Sequence, residues 1–77
     1  MEQTVVEILT DISGADEGEI ELDTELFEEG VLDSFGIVQL FVELEERLGV
    51  KLDTANLQRE DISTAAKITA LCEAVRG

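Results

Sequence analysis

The first apolar residues of the chain recur at the spacing of an amphipathic helix. The stripe consists of Val5, Ile8, Leu9 and Ile12. Successive members are three, one and three residues apart, so they share one helix face while the polar residues between them face solvent. Gly14 is a stop signal, because glycine readily adopts the left-handed backbone that ends many helices. We therefore expect a first helix from about residue 2 to Ser13.

A second amphipathic stretch is the clearest element in the sequence. Its apolar stripe consists of Ile37, Phe41, Leu44 and Leu48, widened by Val38 and Leu40. Ser34 or Asp33 supplies the hydrogen-bond acceptor that the first exposed N–H groups of a helix require. Gly49 marks the end. The pattern predicts a second helix that begins at Ser34 and ends before Gly49.

Residues 14–33 connect these helices and show no sustained periodicity. The segment contains three glycines and nine acidic residues. A loop of about 20 residues is uncommon in a compact domain, so we expect its apolar side chains to pack into the core. These are Ile20, Leu22, Leu26, Phe27, Val31 and Leu32.

The sequence after Gly49 predicts two further helices. One is short and runs from Asn56 to Asp61, and the last is capped by Ser63 or Thr64. The apolar face of the last helix consists of Ile68, Leu71, Cys72 and Val75. This places Cys72 in the core as a packed thiol. The expected architecture of the single domain, residues 1–77, is an all-α bundle of four antiparallel helices, three longer and one short, with a long first loop.

Size and charge narrow the function. A chain of 77 residues is too small for a deep catalytic cleft. The net charge is −14, and fifteen acidic residues precede the first basic residue, Arg47. Such a field repels nucleic acid and anionic lipid and favours basic protein surfaces, although an acid excess also simply keeps a small protein soluble. The sequence shows no signal peptide and no membrane-spanning segment, so we expect a cytoplasmic protein. We also expect it to be a monomer.

Ser34 is the candidate for chemistry, and the sequence predicts that it receives a group rather than catalyses a reaction. The chain has no histidine to remove the proton of a serine hydroxyl, and adjacent Asp33 is too weak a base for this task. No metal-ligand spacing is present either. A helix N-terminus does favour a phosphate ester, because free N–H groups and the helix dipole stabilise an anion. The alternative is that Ser34 only caps the helix.

The run from Leu26 to Leu40, with Asp33-Ser34-Phe35-Gly36 at its centre, closely resembles the attachment site of acyl carrier proteins. Within that superfamily it is most similar to the D-alanyl carrier proteins of lipoteichoic acid modification. The resemblance implies a four-helix carrier fold without catalytic activity of its own. It also implies that a phosphopantetheinyl transferase attaches 4'-phosphopantetheine to Ser34. The terminal thiol of this arm then holds an aminoacyl or acyl group as a thioester.

The resemblance also suggests which residues meet partner enzymes. Asp33 would contact the transferase, and the acidic face of the second helix would contact basic patches. Phe35 and Ile37 flank the serine as a candidate docking spot for a partner enzyme, with ordinary core packing as the alternative. The glycine in the first helical turn suggests that an arm or a partner approaches the backbone closely. The candidate recognition residues are Asp33, Phe35, Gly36, Ile37, Glu43 and Glu46.

The resemblance to D-alanyl carriers implies two further partners. One is an ATP-dependent ligase that loads D-alanine, and the other is a downstream acyltransferase of the membrane that passes it to teichoic acid. The stretch from Gln58 to Ala65 lacks the Trp and Pro that D-alanyl carriers often have there. A stand-alone acyl or peptidyl carrier of a fatty-acid, polyketide or nonribosomal peptide pathway therefore remains an alternative. A further alternative is an acidic interaction protein that imitates nucleic acid.

Overall fold

The computed structural model describes residues 1–16, 18–52, 55 and 57–76. Its elements are α1 (Glu2–Ser13), α2 (Ser34–Leu48), a 3-10 helix (Arg59–Ile62) and α3 (Ala65–Arg76). None of the described residues lies in a β-strand. The all-helical prediction is confirmed, and so are the predicted bounds of the first two helices. Throughout these residues no helix combines the length and apolar character needed to cross a bilayer.

The first two helices end as their glycines predict. Gly14 and Gly49 adopt left-handed backbone, with φ of 73° and 66°. The N–H of Gly14 donates to the carbonyl of Thr10, and that of Gly49 donates to the carbonyl of Glu45. A residue with a Cβ is strained at such a φ, so the chain leaves both helices where the glycines stand.

The core lies where α1 packs against both α2 and α3. It contains Val5, Ile8, Leu9, Ile20, Leu26, Leu32, Leu40, Leu44, Val50, Ile62, Ala65, Ile68 and Cys72. The predicted face of α1 is thus confirmed, with Ile12 half-buried at its edge. This cluster excludes water from the apolar surface of all three helices, which is the main source of stability in so small a domain.

The buried face of α2 differs from the predicted stripe. Gly36, Leu40 and Leu44 are buried, whereas Ile37, Phe41 and Leu48 are only half-buried. Val38, which was expected to widen the buried stripe, is 62% exposed. The helix carries apolar residues around most of its circumference, so periodicity alone does not distinguish the face that α1 covers from the face that solvent reaches.

Backbone hydrogen bonds hold the long loop against the start of α3. The N–H of Leu26 donates to the carbonyl of Ser63 at 2.8 Å, and the N–H of Ala66 donates to the carbonyl of Leu22 at 3.0 Å. The carbonyl of Leu26 then accepts from the N–H groups of Val31 and Leu32 at 2.8 and 3.0 Å. These bonds hold the segment that leads into α2 against the start of α3.

The apolar side chains of this loop divide into two groups. Ile20, Leu26 and Leu32 are buried, and Phe27 and Val31 pack half-buried against the core, as predicted. Leu22 is 39% exposed, so the expectation that its side chain packs in the core is wrong. Leu22 contributes its backbone carbonyl instead, and this contribution has no hydrophobic signature in the sequence.

The C-terminal part follows the prediction with two changes. In the described part of the predicted short helix, Arg59–Ile62 forms a 3-10 helix, and Asn56 lies outside the described residues. In α3, Thr64 supplies the capping oxygen, which accepts from the N–H of Lys67 at 3.2 Å. Ile68 and Cys72 are fully buried, but Val75 is 52% exposed and leaves the predicted apolar face. Burial raises the pKa of the Cys72 thiol, and the nearby carboxylate of Glu73 adds to this shift.

Candidate functional site

Ser34 is the first residue of α2, and its position is set by Asp33. Asp33 has extended backbone, with φ of −135° and ψ of −174°, and turns the incoming loop into the helix axis. Its Oδ1 accepts from the N–H of Gly36 at 2.7 Å, while its carbonyl accepts from the N–H of Ile37 at 2.9 Å. Asp33 therefore caps the helix, and Ser34 is exposed in the first turn.

The surroundings of Ser34 favour an anion and offer no general base. Within the described residues, the N–H groups of Ser34 and Phe35 have no acceptor, and no side chain accepts from the Ser34 hydroxyl. Open N–H groups at the positive end of a helix dipole stabilise a phosphate ester. The chain contains no histidine, and among the described residues no group of side chains is arranged to bind a metal ion. The site suits a residue that is modified by another enzyme.

Gly36 is buried directly behind the cap. A Cβ at this position would lie 3.3 Å from Oδ1 of Asp33 and 3.6 Å from Cδ2 of Leu32. The close neighbours of this glycine are thus side chains of the chain itself. A side chain here would require the Asp33 carboxylate, which accepts from the Gly36 N–H at 2.7 Å, to shift by a few tenths of an ångström.

Three large apolar side chains of α2, beginning with the residue after Ser34, face solvent. Phe35 is 71% exposed, Val38 is 62% exposed and Val42 is 49% exposed. We call these three residues the α2 ridge. Phe35 was among the predicted recognition residues and could equally have been core, while Ile37, also predicted, is half-buried. Val38 was missed as a surface residue, because it was attributed to the buried stripe, and Val42 was not among the residues that the sequence analysis singled out.

The predicted acidic contacts, Glu43 and Glu46, have different surroundings. Glu43 accepts from Nε of Arg47 at 2.7 Å, and Nη2 of the same guanidinium donates to Asp11 on α1 at 2.9 Å. The hydrogen bond to Asp11 raises the pKa of Arg47, and Glu43 adds to this effect. Glu46 is exposed and forms no ion pair within the described part of the chain. Glu43 therefore belongs to an internal ion triad, whereas Glu46 remains available to a partner.

The comparisons with known proteins agree with this site. The sequence matches the family described as "Phosphopantetheine attachment site" over residues 3–72. The chain belongs to this family, and its prosthetic group is covalently attached 4'-phosphopantetheine. An exposed serine beside open N–H groups fits the phosphate ester through which such a group is attached.

Its relatives narrow the class further. The chain is 44% identical over 70 residues to a D-alanyl carrier protein of Lactococcus lactis, which covers 91% of this chain and 89% of the relative. It is 42% identical over 76 residues to a D-alanyl carrier protein of Enterococcus faecalis, with 99% and 97% covered. D-alanyl carrier protein 1 of Lactiplantibacillus plantarum is 44% identical over 70 residues, with 91% and 86% covered.

Proposed function

We propose that the chain is a carrier protein that holds D-alanine as a thioester and delivers it for teichoic acid D-alanylation. The observation that supports this cargo most directly is the similarity to D-alanyl carrier proteins, which extends over 91% to 99% of the chain. The chain itself catalyses no step. The architecture is a four-helix carrier bundle in which the Arg59–Ile62 turn belongs to the short helix.

Ser34 is the attachment residue in this proposal. A phosphopantetheinyl transferase removes the proton of the serine hydroxyl, since the chain has no histidine for this role. The Oγ–P bond to pantetheine phosphate forms, and the bond from that phosphorus to the adenosine bisphosphate part of coenzyme A breaks. The open N–H groups of Ser34 and Phe35 then stabilise the charge of the ester. The exposure of Ser34 gives the transferase access.

The predicted recognition residues contribute in different ways. Asp33 caps α2 with Oδ1, which leaves its second carboxylate oxygen for the transferase and its metal-bound substrate. Phe35 and Glu46 are exposed and meet partner enzymes directly. Gly36 and Ile37 are more buried and would shape the start of the helix under those contacts. Glu43 would meet a partner only if it left Arg47.

In this proposal two further enzymes load the cargo onto the carrier and remove it. An ATP-dependent ligase in the cytoplasm forms the D-alanyl thioester on the thiol of the arm, and an acyltransferase at the membrane consumes it. The carrier remains in the cytoplasm as a monomer, and its net charge of −14 disfavours binding to nucleic acid. The second candidate is a carrier of another amino or acyl group, and it is favoured by the absence of Trp and Pro between Gln58 and Ala65.

Attachment at Ser34 is tested by incubating the chain with coenzyme A and a broad-specificity transferase, followed by intact mass measurement. We expect one pantetheine phosphate on the wild type and on Ser13→Ala, and none on Ser34→Ala. Counting reactive thiols gives an independent readout. Cys72 is buried and its pKa is raised, so the unmodified native chain should show no rapidly reacting thiol and the modified chain one. An unchanged mass, or modification that persists in Ser34→Ala, would refute the proposal.

The cargo is tested on the modified chain with the ATP-dependent D-alanine ligase of the same organism. We expect D-alanine to be bound in preference to L-alanine, glycine or a fatty acid, and to be released by hydroxylamine, which cleaves thioesters. Loading of a different acid would reject the D-alanine cargo and leave the carrier function intact.

A further inference from the structure

Arg59 is a basic residue whose side chain contacts an aromatic ring. Its guanidinium carbon lies over the ring of Phe27, 5.1 Å from the ring centroid. Within the described residues both ion pairs belong to Arg47, and Arg59 forms none. An unpaired guanidinium stands out in a chain that has 19 acidic residues and five basic ones. The group has five N–H donors, so a contact with one ring leaves donors for an anion.

Arg59 is held in place from two sides. Phe27 is half-buried and packs against the core, so its ring is a fixed surface under the guanidinium. The backbone of Arg59 belongs to the 3-10 helix, which begins with a capping box between Gln58 and Asp61. In this box the carboxylate of Asp61 accepts from the N–H of Gln58 at 3.0 Å. The Asp61 carboxylate is therefore engaged with the backbone rather than with Arg59.

The side chain of Arg59 opens onto a groove that begins one helical turn from Ser34. Ile37 follows Ser34 by three residues, a rise of about 4.5 Å along the same face of α2. The groove has a volume of about 250 Å³. A water molecule takes up about 30 Å³ of liquid, so the groove has room for a phosphate group. Its lining consists of Ile37, Phe41, Leu57, Gln58, Arg59 and Ile62.

Attachment of the arm brings an anion to this end of the groove. The phosphodiester that joins pantetheine to Ser34 carries one negative charge, which is added to a net charge of −14. The open N–H groups at the start of α2 offer this phosphate partial charges, whereas a guanidinium offers a full positive charge. Arginine also binds phosphate through two parallel N–H···O bonds, which a single backbone N–H cannot do.

We propose that Arg59 binds the phosphate of the arm on Ser34, while Phe27 holds the guanidinium in position. This inference rests on the proposed function. The attached arm then links the start of α2 to the 3-10 helix through a charged hydrogen bond. Attachment therefore stabilises the fold, although it adds a negative charge to an acidic chain.

The test compares melting temperatures with and without the arm in low-salt buffer. Attachment should raise the melting temperature of the wild type by about 2–4 °C, and Arg59→Gln should abolish or reverse this rise. Lys51→Gln is the matched control, because Lys51 is exposed beyond the far end of α2. It loses the same charge and should keep the rise. If Arg59 only supported the fold, Arg59→Gln would destabilise both forms equally and leave the rise unchanged.

Two further measurements separate the contact from general charge effects. Phe27→Leu keeps an apolar side chain against the core but removes the ring under the guanidinium, and should reduce the rise. In NMR spectra of the wild type, the Nε–H signal of Arg59 should shift when the arm is attached. A rise that persists in Arg59→Gln would overturn the proposal, as would an equal loss of the rise in Lys51→Gln.

Intact mass first shows that each variant carries its arm. Absence of the arm from the wild type contradicts the proposed function. An attached arm that leaves both the Arg59 signal and the melting temperature unchanged contradicts only the contact between Arg59 and the phosphate.

Discussion

Helices α1 and α2 share the same plan, but the side chains that they expose to solvent differ in chemical character. Both have one buried apolar face, and both end at a left-handed glycine. The exposed residues of α1 include Glu2, Gln3, Glu7 and Asp11. Those of α2 include Phe35, Val38 and Val42. The pattern of α1 is fully explained by packing and solubility, whereas α2 carries apolar residues that packing leaves uncovered.

The two helices also begin differently. At the start of α1, Met1 provides no side-chain hydrogen bond to the first turn. At the start of α2, Asp33 provides one of 2.7 Å to Gly36. The start of α1 contains no candidate functional residue, whereas the start of α2 contains Ser34. The difference indicates that the well-defined helix start is associated with the candidate attachment residue.

Core substitutions should produce the largest effects and distinguish the two faces of α2. Leu9→Ala in α1 and Leu44→Ala in α2 remove fully buried side chains, and each should lower the free energy of unfolding by about 2–5 kcal/mol. Val42→Ala, on the ridge, should change it by less than about 0.5 kcal/mol. Urea denaturation followed by circular dichroism measures all three. A large loss in Val42→Ala would mean that the ridge belongs to the core after all.

The contrast between α1 and α2 also shows which features could be predicted from the sequence. Helix bounds were accessible because glycine and a capping acid act locally, as at Gly14, Gly49 and Asp33. The buried face of α2 could not be predicted in this way. It depends on which side of α2 is covered by α1, and α2 carries apolar residues on more than one side. The pairing of Arg47 with Asp11 joins residues that are 36 positions apart, and no local pattern announces it.

The same limit applies to the site. The position of Ser34 at the first turn follows from local sequence, and its resemblance to known attachment sites is local as well. The internal engagement of Glu43 and the exposure of Val38 and Val42 depend on tertiary packing, so the sequence suggested Glu43 as a surface contact and assigned Val38 to the buried face.

Removal of the α2 cap should have the next largest effect. Asp33→Ala deletes the oxygen that accepts from Gly36, and should lower the free energy of unfolding by about 1 kcal/mol. Asp33→Asn keeps an acceptor oxygen while removing the charge, so its stability should remain within about 0.5 kcal/mol of the wild type. Thermal unfolding of the two variants separates the hydrogen bond from the charge.

The rate at which the phosphopantetheine arm is attached to Asp33→Ala and Asp33→Asn tests whether Asp33 contacts the transferase. If Asp33 meets the transferase through its charge, both variants should accept the arm more slowly, although only Asp33→Ala is destabilised. Equal destabilisation of both variants would show instead that the charge beside the helix dipole, and not the hydrogen bond, stabilises the start of α2.

The smallest expected effect lies where α1 and α2 meet through Arg47. Arg47→Gln breaks both ion pairs and should lower the melting temperature by about 1–4 °C at low salt, because exposed pairs contribute little. Lys51→Gln is the matched control, since it removes the same charge from a lysine that forms no ion pair within the described residues. Differential scanning calorimetry measures both.

Salt should act on the triad and on the whole surface in opposite directions. From about 0.1 M to about 1 M salt the Debye length falls from about 10 Å to about 3 Å. The difference between Arg47→Gln and Lys51→Gln should shrink, because the attraction in the triad is screened. The melting temperature of the wild type should nevertheless rise, because repulsion among its 19 acidic residues is screened as well and outweighs two exposed ion pairs. A wild-type melting temperature that falls with salt would reverse that balance and make the Arg47 triad the dominant electrostatic contribution to the contact between α1 and α2.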